Sequence, residues 1–250
     1  MLPLVALALA VLAAGPDPSP IPASSRQLVV VTTADWSATA GTLRRFSRAD
    51  GGWEAVGEPV PVVVGRSGLG WGRGLHGPQA GGPAKAEGDG RAPAGAFRLS
   101  AAFGYAPSEP TGLPYVHAAP GVECVDDVGS GAYNLVLDRA AVDADWRSHE
   151  TMRRDDGLYR IGAVVAHNGP GVSAALVPSA SGPAAVPGGG SCIFLHVWRG
   201  PGSTTAGCTA MPDGALAGVL AWLDAEADPV LVQLPEPEAD RLRGPWGLPE

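Results

Sequence analysis

His196 and Cys208 are the pair of side chains best suited by type and spacing to do chemistry, with eleven residues between them. The segment reads Ser191-Cys-Ile-Phe-Leu-His-Val-Trp198, then Arg199-Gly-Pro-Gly-Ser-Thr-Thr-Ala-Gly-Cys-Thr-Ala-Met-Pro212. A cysteine nucleophile needs a base within hydrogen-bond reach to make its thiolate. It also needs backbone N–H groups aimed at the developing oxyanion, and space for the substrate. His196 can be the base. The N–H groups at Gly207 and Cys208 can be the donors, and Gly207 leaves backbone room. The same spacing also suits a core-edge histidine and a small buried cysteine. Spacing alone leaves both readings open.

The elements that must position this pair follow from the flanking sequence. The apolar run 193–195 reads as a buried strand that delivers His196 at its end. The polar loop after it lets the chain leave the strand, turn and come back alongside. A helix follows over 213–225, with Asp213 as its cap and Leu216, Val219, Leu220 and Leu223 on one face. Further strands are expected at 27–33, 42–48, 53–56, 60–64, 96–100, 133–138, 159–165 and 230–234, separated by glycine- and proline-rich turns. Residues 65–95 and 178–191 read as long loops, and 143–154 as a short helix or irregular loop. Strand and helix do not alternate, so a doubly wound parallel sheet is disfavoured. The expectation is a mainly β protein with one or two short helices.

Composition narrows the class. The 250 residues carry 17 Lys and Arg against 25 Asp and Glu, a formal charge of −8, with no basic cluster long enough for a phosphate backbone. A nucleic-acid partner is therefore not expected. The run 2–14 is apolar but too short to span a bilayer as a helix, and it ends in a zone of small residues at 13–15. Residues 1–15 read as a signal peptide and 16–26 as a flexible lead-in, which places the mature chain in the secreted or cell-envelope compartment without an integral membrane span. Residues 27–235 then form one domain, and 236–250 a proline-rich tail. The three cysteines lie far apart and are poor zinc ligands. In an exported chain, an odd count suggests one pair and one free thiol. Cys124 with Cys192 is the pairing proposed, leaving Cys208 free.

The stretch Ile193-Phe-Leu-His196 to Thr205-Ala-Gly-Cys208-Thr-Ala-Met resembles the active-site signature of the YkuD-type L,D-transpeptidase superfamily, in a divergent branch. Gly88-Asp-Gly-Arg-Ala-Pro-Ala-Gly-Ala-Phe97, Phe103-Gly-Tyr105, Cys124-Val-Asp-Asp127 and Tyr133-Asn134 resemble that branch in the same order. So do Trp146, Ser148, Glu150 and Met152, then Leu158-Tyr159 and Val164-Val-Ala-His-Asn168. Together these segments span residues 85–225. The resemblance implies a β-sandwich catalytic domain, Cys208 as nucleophile, His196 as base and Gly207 in the oxyanion turn. It implies peptidoglycan stem peptides as the partner, no cofactor and no metal. A monomer is expected. Ala206 stands where the better-known members carry a second His, and Thr209, Ala210 and Met211 stand where an Arg or Asn is usual. The acceptor step, amine or water, is thus the part the resemblance implies least closely.

Other residues carry weaker signals. His167-Asn168 ends a strand and is either a site pair or a strand-end polar pair. Asp126-Asp127 suits a cation or amine, or the cap of a turn. The seven tryptophans include possible glycan platforms as well as core residues. Two readings compete with acyl transfer: an L,D-carboxypeptidase or amide hydrolase on the same fold, and a non-catalytic wall-binding module.

Overall fold

The computed structural model describes residues 19–250. The expected signal peptide and the first residues of the lead-in lie outside them. Gln27–Thr33 (β1) is the β-branched run of the sequence. It pairs antiparallel with Ala40–Ala49 (β2), which turns into Gly52–Val63 (β3). The two strands expected at 53–56 and 60–64 are one. Gly57 takes a φ of 67°, and the β2–β3 register shifts between Leu43 and Arg45, so a bulge absorbs the glycine. Leu69–Trp71 (β4) interrupts the expected long loop and leads to Ala92–Gly104 (β5). Tyr115–His117 (β6), Val122–Val125 (β7), Val136–Asp138 (β8) and His149–Thr151 (β9) follow. The 143–154 segment is thus loop and strand, with no helix. The chain ends with Ile161–Val165 (β10), Phe194–Val197 (β11), Thr209–Met211 (β12), Asp213–Trp222 (α1), Val230–Pro235 (β13) and Glu236–Trp246 (α2).

The mainly β class with short helices is what the chain adopts. The strands do not form two facing sheets. They run β10-β11-β12-β3-β2-β1-β13-β5, and β5 pairs back onto β10, closing an eight-stranded barrel. The cause lies in β5. Its residues Gly95–Arg98 pair with β13, while Leu99 and Ala101–Gly104 pair with β10. One long strand thereby joins both ends of the sheet and leaves no free edge there. β7, β8 and β9 form a separate three-stranded sheet.

Alternation along the strands divides the core. Val29, Val31, Leu43, Val62, Phe97, Ala163, Leu195, Met211 and Leu231 come from all eight barrel strands and pack with Leu216, Val219 and Leu220 of α1. These three helix residues are buried at the i, i+3, i+4 spacing read from sequence. Pro212, not Asp213, is the N-cap; Asp213 is the first helical residue and pairs with Arg160. The alternate residues Leu28, Val230, Val232 and Leu234 pack outward on Ala239, Leu242 and Trp246 of α2. The expected tail is therefore part of the core. Pro237 sits in the first turn of α2, where a missing N–H costs nothing. The lead-in is docked as well: Ile21 joins the same cluster, and Arg26 N–H donates to Ala227 O at 2.7 Å. A third cluster, Phe103, Val164, Phe194 and Cys208, lies under Val122, Cys124 and Val136 of the small sheet. Among the described residues no helix is long and apolar enough to cross a membrane.

Candidate active site

β11 and β12 are parallel neighbours. Antiparallel strands can join through two residues, but parallel ones need a return path of about a dozen. The loop between His196 and Cys208 is that path. His196 is in register with Ala210, so Cys208 lies two residues back on the same face. Diagonal partners in a sheet are about 7–8 Å apart, within the combined reach of an imidazole and a thiol. Both line one cavity of about 210 Å³, with Glu150, Arg154, Tyr159, Trp198, Arg199 and Thr205. Cys208 is 7% exposed and His196 6%, and both line this opening.

The thiol is held by backbone. Cys208 Sγ accepts from Phe194 N–H at 3.3 Å, and its S–H donates to the Cys192 carbonyl at 3.4 Å. Cys192 has a φ of 55°, uncommon for a non-glycine residue. Two ties hold it there. Its N–H donates to Asn134 Oδ1 at 2.9 Å, and its sulfur is bonded to Cys124. Cys208 is the free cysteine, as parity and export led us to expect.

His196 is oriented by its neighbour. Its Nδ1 lies 2.8 Å from Val197 O, so Nδ1 carries the proton and Nε2 keeps its lone pair. Burial lowers the imidazole to about 4, opposed by the Val197 bond. Burial first and the Glu150 charge second push the Cys208 thiol up to about 12, while the Phe194 N–H acts the other way. At neutral pH the resting pair is thus a thiol and a neutral imidazole.

The turn before the nucleophile differs from expectation at Gly207. Its N–H donates to Thr205 Oγ1 at 3.1 Å, and Thr205 Oγ1–H donates to Cys208 O at 2.6 Å. The Gly207 amide is therefore engaged within its own turn. Its need for glycine is steric: a Cβ there would stand 3.0 Å from Arg91 O. The Gly88-Asp-Gly element builds that opposing wall. Asp89 accepts from Ala86 and Arg91 N–H groups, and the Arg91 guanidinium donates to Ser67 O and Leu69 O.

Sequence reasoning assigned no role to four residues that line the cavity, Glu150, Arg154, Tyr159 and Arg199, although Glu150 and Tyr159 lay in segments carrying the resemblance. Tyr159 O–H donates to Glu150 Oε2 at 2.6 Å, and its ring meets His196 edge-on at 5.2 Å. Glu150 is raised from the usual carboxylate range, by burial first. Arg154 forks onto Asp156 at 2.9 and 2.7 Å, and Arg199 reaches the same carboxylate at 2.9 Å. Two guanidinium groups therefore share one carboxylate at the mouth, with Glu150 as a second carboxylate in the same cavity.

His167 and Asn168 are not in this cavity. His167 is fully buried; its Nδ1 accepts from Arg73 N–H at 3.1 Å and its Nε2–H donates to Gly189 O at 2.9 Å. Burial lowers it to about 3. Asn168 bridges Val186 and Gly190. The pair clamps the 186–190 loop that leads to Cys192. Asp127 caps a turn, accepting from Gly129 and Arg147 N–H groups. Trp146 donates to Glu123, and Trp71 and Trp246 are core residues; Trp198 is the tryptophan that lines the cavity. Among the described residues no group of three or more His, Cys, Asp or Glu is arranged to hold a metal ion.

In comparison with known proteins, no family model, no curated protein and no solved structure matches the chain.

Proposed function

We propose that this chain is an exported cysteine acyltransferase of the L,D-transpeptidase kind, acting on peptidoglycan stem peptides at the cell envelope. One observation carries the reading. The unpaired thiol and a histidine with a free Nε2 share one face of two parallel strands and open to one cavity. The resemblance of the 85–225 segments supplies the substrate class, and a disulfide suits an oxidising compartment.

In the proposed reaction, His196 Nε2 takes the Cys208 proton as sulfur attacks the carbonyl of the L-residue. The Cys208 N–H is the donor assigned to the oxyanion. Collapse breaks the C–N bond, and the imidazolium returns its proton to the leaving amine. The thioester is then opened by an amine, giving a cross-link, or by water, giving a trimmed stem. Ala206 in place of a second histidine keeps both resolutions in the proposal.

The resting protonation favours a second reading, a wall-binding module without chemistry: a buried thiol near 12 is inert on its own. One experiment separates the two. The folded protein is incubated with a tetrapeptide stem and examined by intact mass. The acyltransferase reading expects a thioester on Cys208 with loss of the terminal D-residue, reduced about 10²–10⁴-fold in His196→Ala. Stem binding with no adduct at any pH establishes the module instead.

A further inference from the structure

Glu150 is a half-buried carboxylate beside a cysteine it does not touch, and the acyl-transfer steps make no use of it. It stands on β9, in the small sheet, and accepts a 2.6 Å bond from the hydroxyl of Tyr159, which leads into β10. Glu150, Tyr159, His196 and Cys208 line the same cavity. The Tyr159 ring lies against both His196, at 5.2 Å, and Phe194, at 5.4 Å, so the phenol is fixed in place by aromatic edges. A phenol has one proton to give. In the resting arrangement that proton is committed to Glu150.

We propose that Glu150 is a positioning residue that gates the nucleophile: while its carboxylate is charged it holds the Tyr159 proton away from Cys208, and when its charge is neutralised the hydroxyl proton of the fixed phenol rotates toward the sulfur and stabilises the thiolate. Neutralisation comes from a cationic group of the substrate, an ammonium, docked beside Glu150. The proposal rests on the acyltransferase reading for the identity of the nucleophile. The electrostatics run the same way. The Glu150 charge raises the Cys208 thiol, and hydrogen bonding from Tyr159 acts to lower it. The other groups facing this pair are Arg154, which stabilises the Glu150 charge, Asp126 and Glu87, which oppose it, and Lys85, which favours the Cys208 thiolate. Arg154 is already occupied by Asp156, so it does not discharge Glu150 at rest.

The test reads the thiol and needs no stem peptide. Alkylation of Cys208 by iodoacetamide is followed by mass across pH in wild type, Glu150→Gln, Tyr159→Phe and the double variant, with folding checked by thermal melts. Gln keeps an acceptor for the phenol but removes the charge. Glu150→Gln is expected to move the alkylation profile to lower pH, giving about tenfold faster reaction at a fixed pH per unit of displacement. Tyr159→Phe in the Gln background is expected to remove most of that gain. In wild type, 1,5-diaminopentane at matched ionic strength is expected to accelerate alkylation, and to do nothing in Glu150→Gln. An unchanged profile in folded Glu150→Gln overturns the proposal, as does a gain that persists in the double variant or an amine that has no effect on wild type. A Cys208 that no variant makes alkylatable overturns it too. Because stem turnover is not the readout, a failed stem assay with a displaced profile refutes the acyltransferase reading alone.

Discussion

The Cys124–Cys192 bond ties the small sheet to the residue preceding β11, and its removal should be costly in a calculable way. The two cysteines are 68 residues apart in sequence. Closing a loop of that size removes chain entropy from the unfolded state worth about 4 kcal/mol. For a domain of this size each kcal/mol moves the melting temperature by about 2–4 °C. Cys124→Ala with Cys192→Ala should therefore lower the melting temperature by about 8–16 °C. The loss should appear as a lower urea midpoint, with the slope rising slightly because the unfolded chain expands. A second consequence is local. The Cys192 carbonyl that accepts the Cys208 S–H sits on a residue at φ 55°, kept there by the disulfide and by Asn134. Without the bond that carbonyl is less fixed, and alkylation of Cys208 should speed up. Calorimetry and urea titration, with and without reductant on the wild type, check the first claim. A fall of less than about 3 °C with an unchanged urea midpoint would refute the entropy argument, because the loop would then be restrained without its cross-link.

Three further outcomes are expected. His167 and His196 are lowered to about 3 and about 4, so each contributes stability that is present above 6.5 and lost as pH falls toward those values. Between pH 6.5 and pH 5 each should cost up to about 2 kcal/mol, read as a falling urea midpoint; a flat midpoint over that range would contradict the burial argument. Gly162 is in register with His196, and a Cβ there would stand 2.3 Å from the Phe103 ring and 2.6 Å from Leu195 O. Gly162→Ala should destabilise by about 1–3 kcal/mol and displace the His196 strand, seen as loss of stem turnover beyond what the melt explains. Thr205→Val removes the acceptor of the Gly207 N–H and the donor to Cys208 O, and should cost about 1–3 kcal/mol while altering the rate of Cys208 alkylation.

What the sequence made legible is what local rules govern. The β-branched run at 27–33 is β1 to the residue, and the apolar spacing at 216, 219 and 220 is the buried face of α1. The eleven-residue return from His196 to Cys208 is the connection two parallel strands require. What was not legible depends on partners distant in the chain. Barrel closure follows from β5 pairing with two different neighbours, which no periodicity within β5 announces. α2 was hidden by its prolines, although Pro237 stands at a position where proline suits a helix. Glu150 and Tyr159 have no spacing relation to Cys208; only the packing of the small sheet on the barrel brings them together. The engagement of the Gly207 amide was within reach, since a threonine hydroxyl two residues back commonly takes such an N–H.

A thiol near 12 beside an imidazole near 4 looks at first like an argument against catalysis. Both values have burial as their first cause, and burial penalises charge whatever its sign. The penalty therefore falls on the separated ions far more than on a transfer completed within the pair. Moving the proton from Sγ to Nε2 creates opposite charges within one cavity, and at low dielectric their attraction offsets part of the cost. If the pair catalyses acyl transfer as proposed, the same burial that silences the free thiol favours a concerted transfer once a substrate carbonyl has closed the cavity to water. A pH–rate profile for stem turnover distinguishes the two situations. A pre-formed thiolate gives an activity that rises with the thiol's own titration. A concerted transfer gives a plateau from about pH 5 upward, set on its acid side by the imidazole. The depressed imidazole makes the second shape the expectation, and a rise that continues past pH 9 would contradict it.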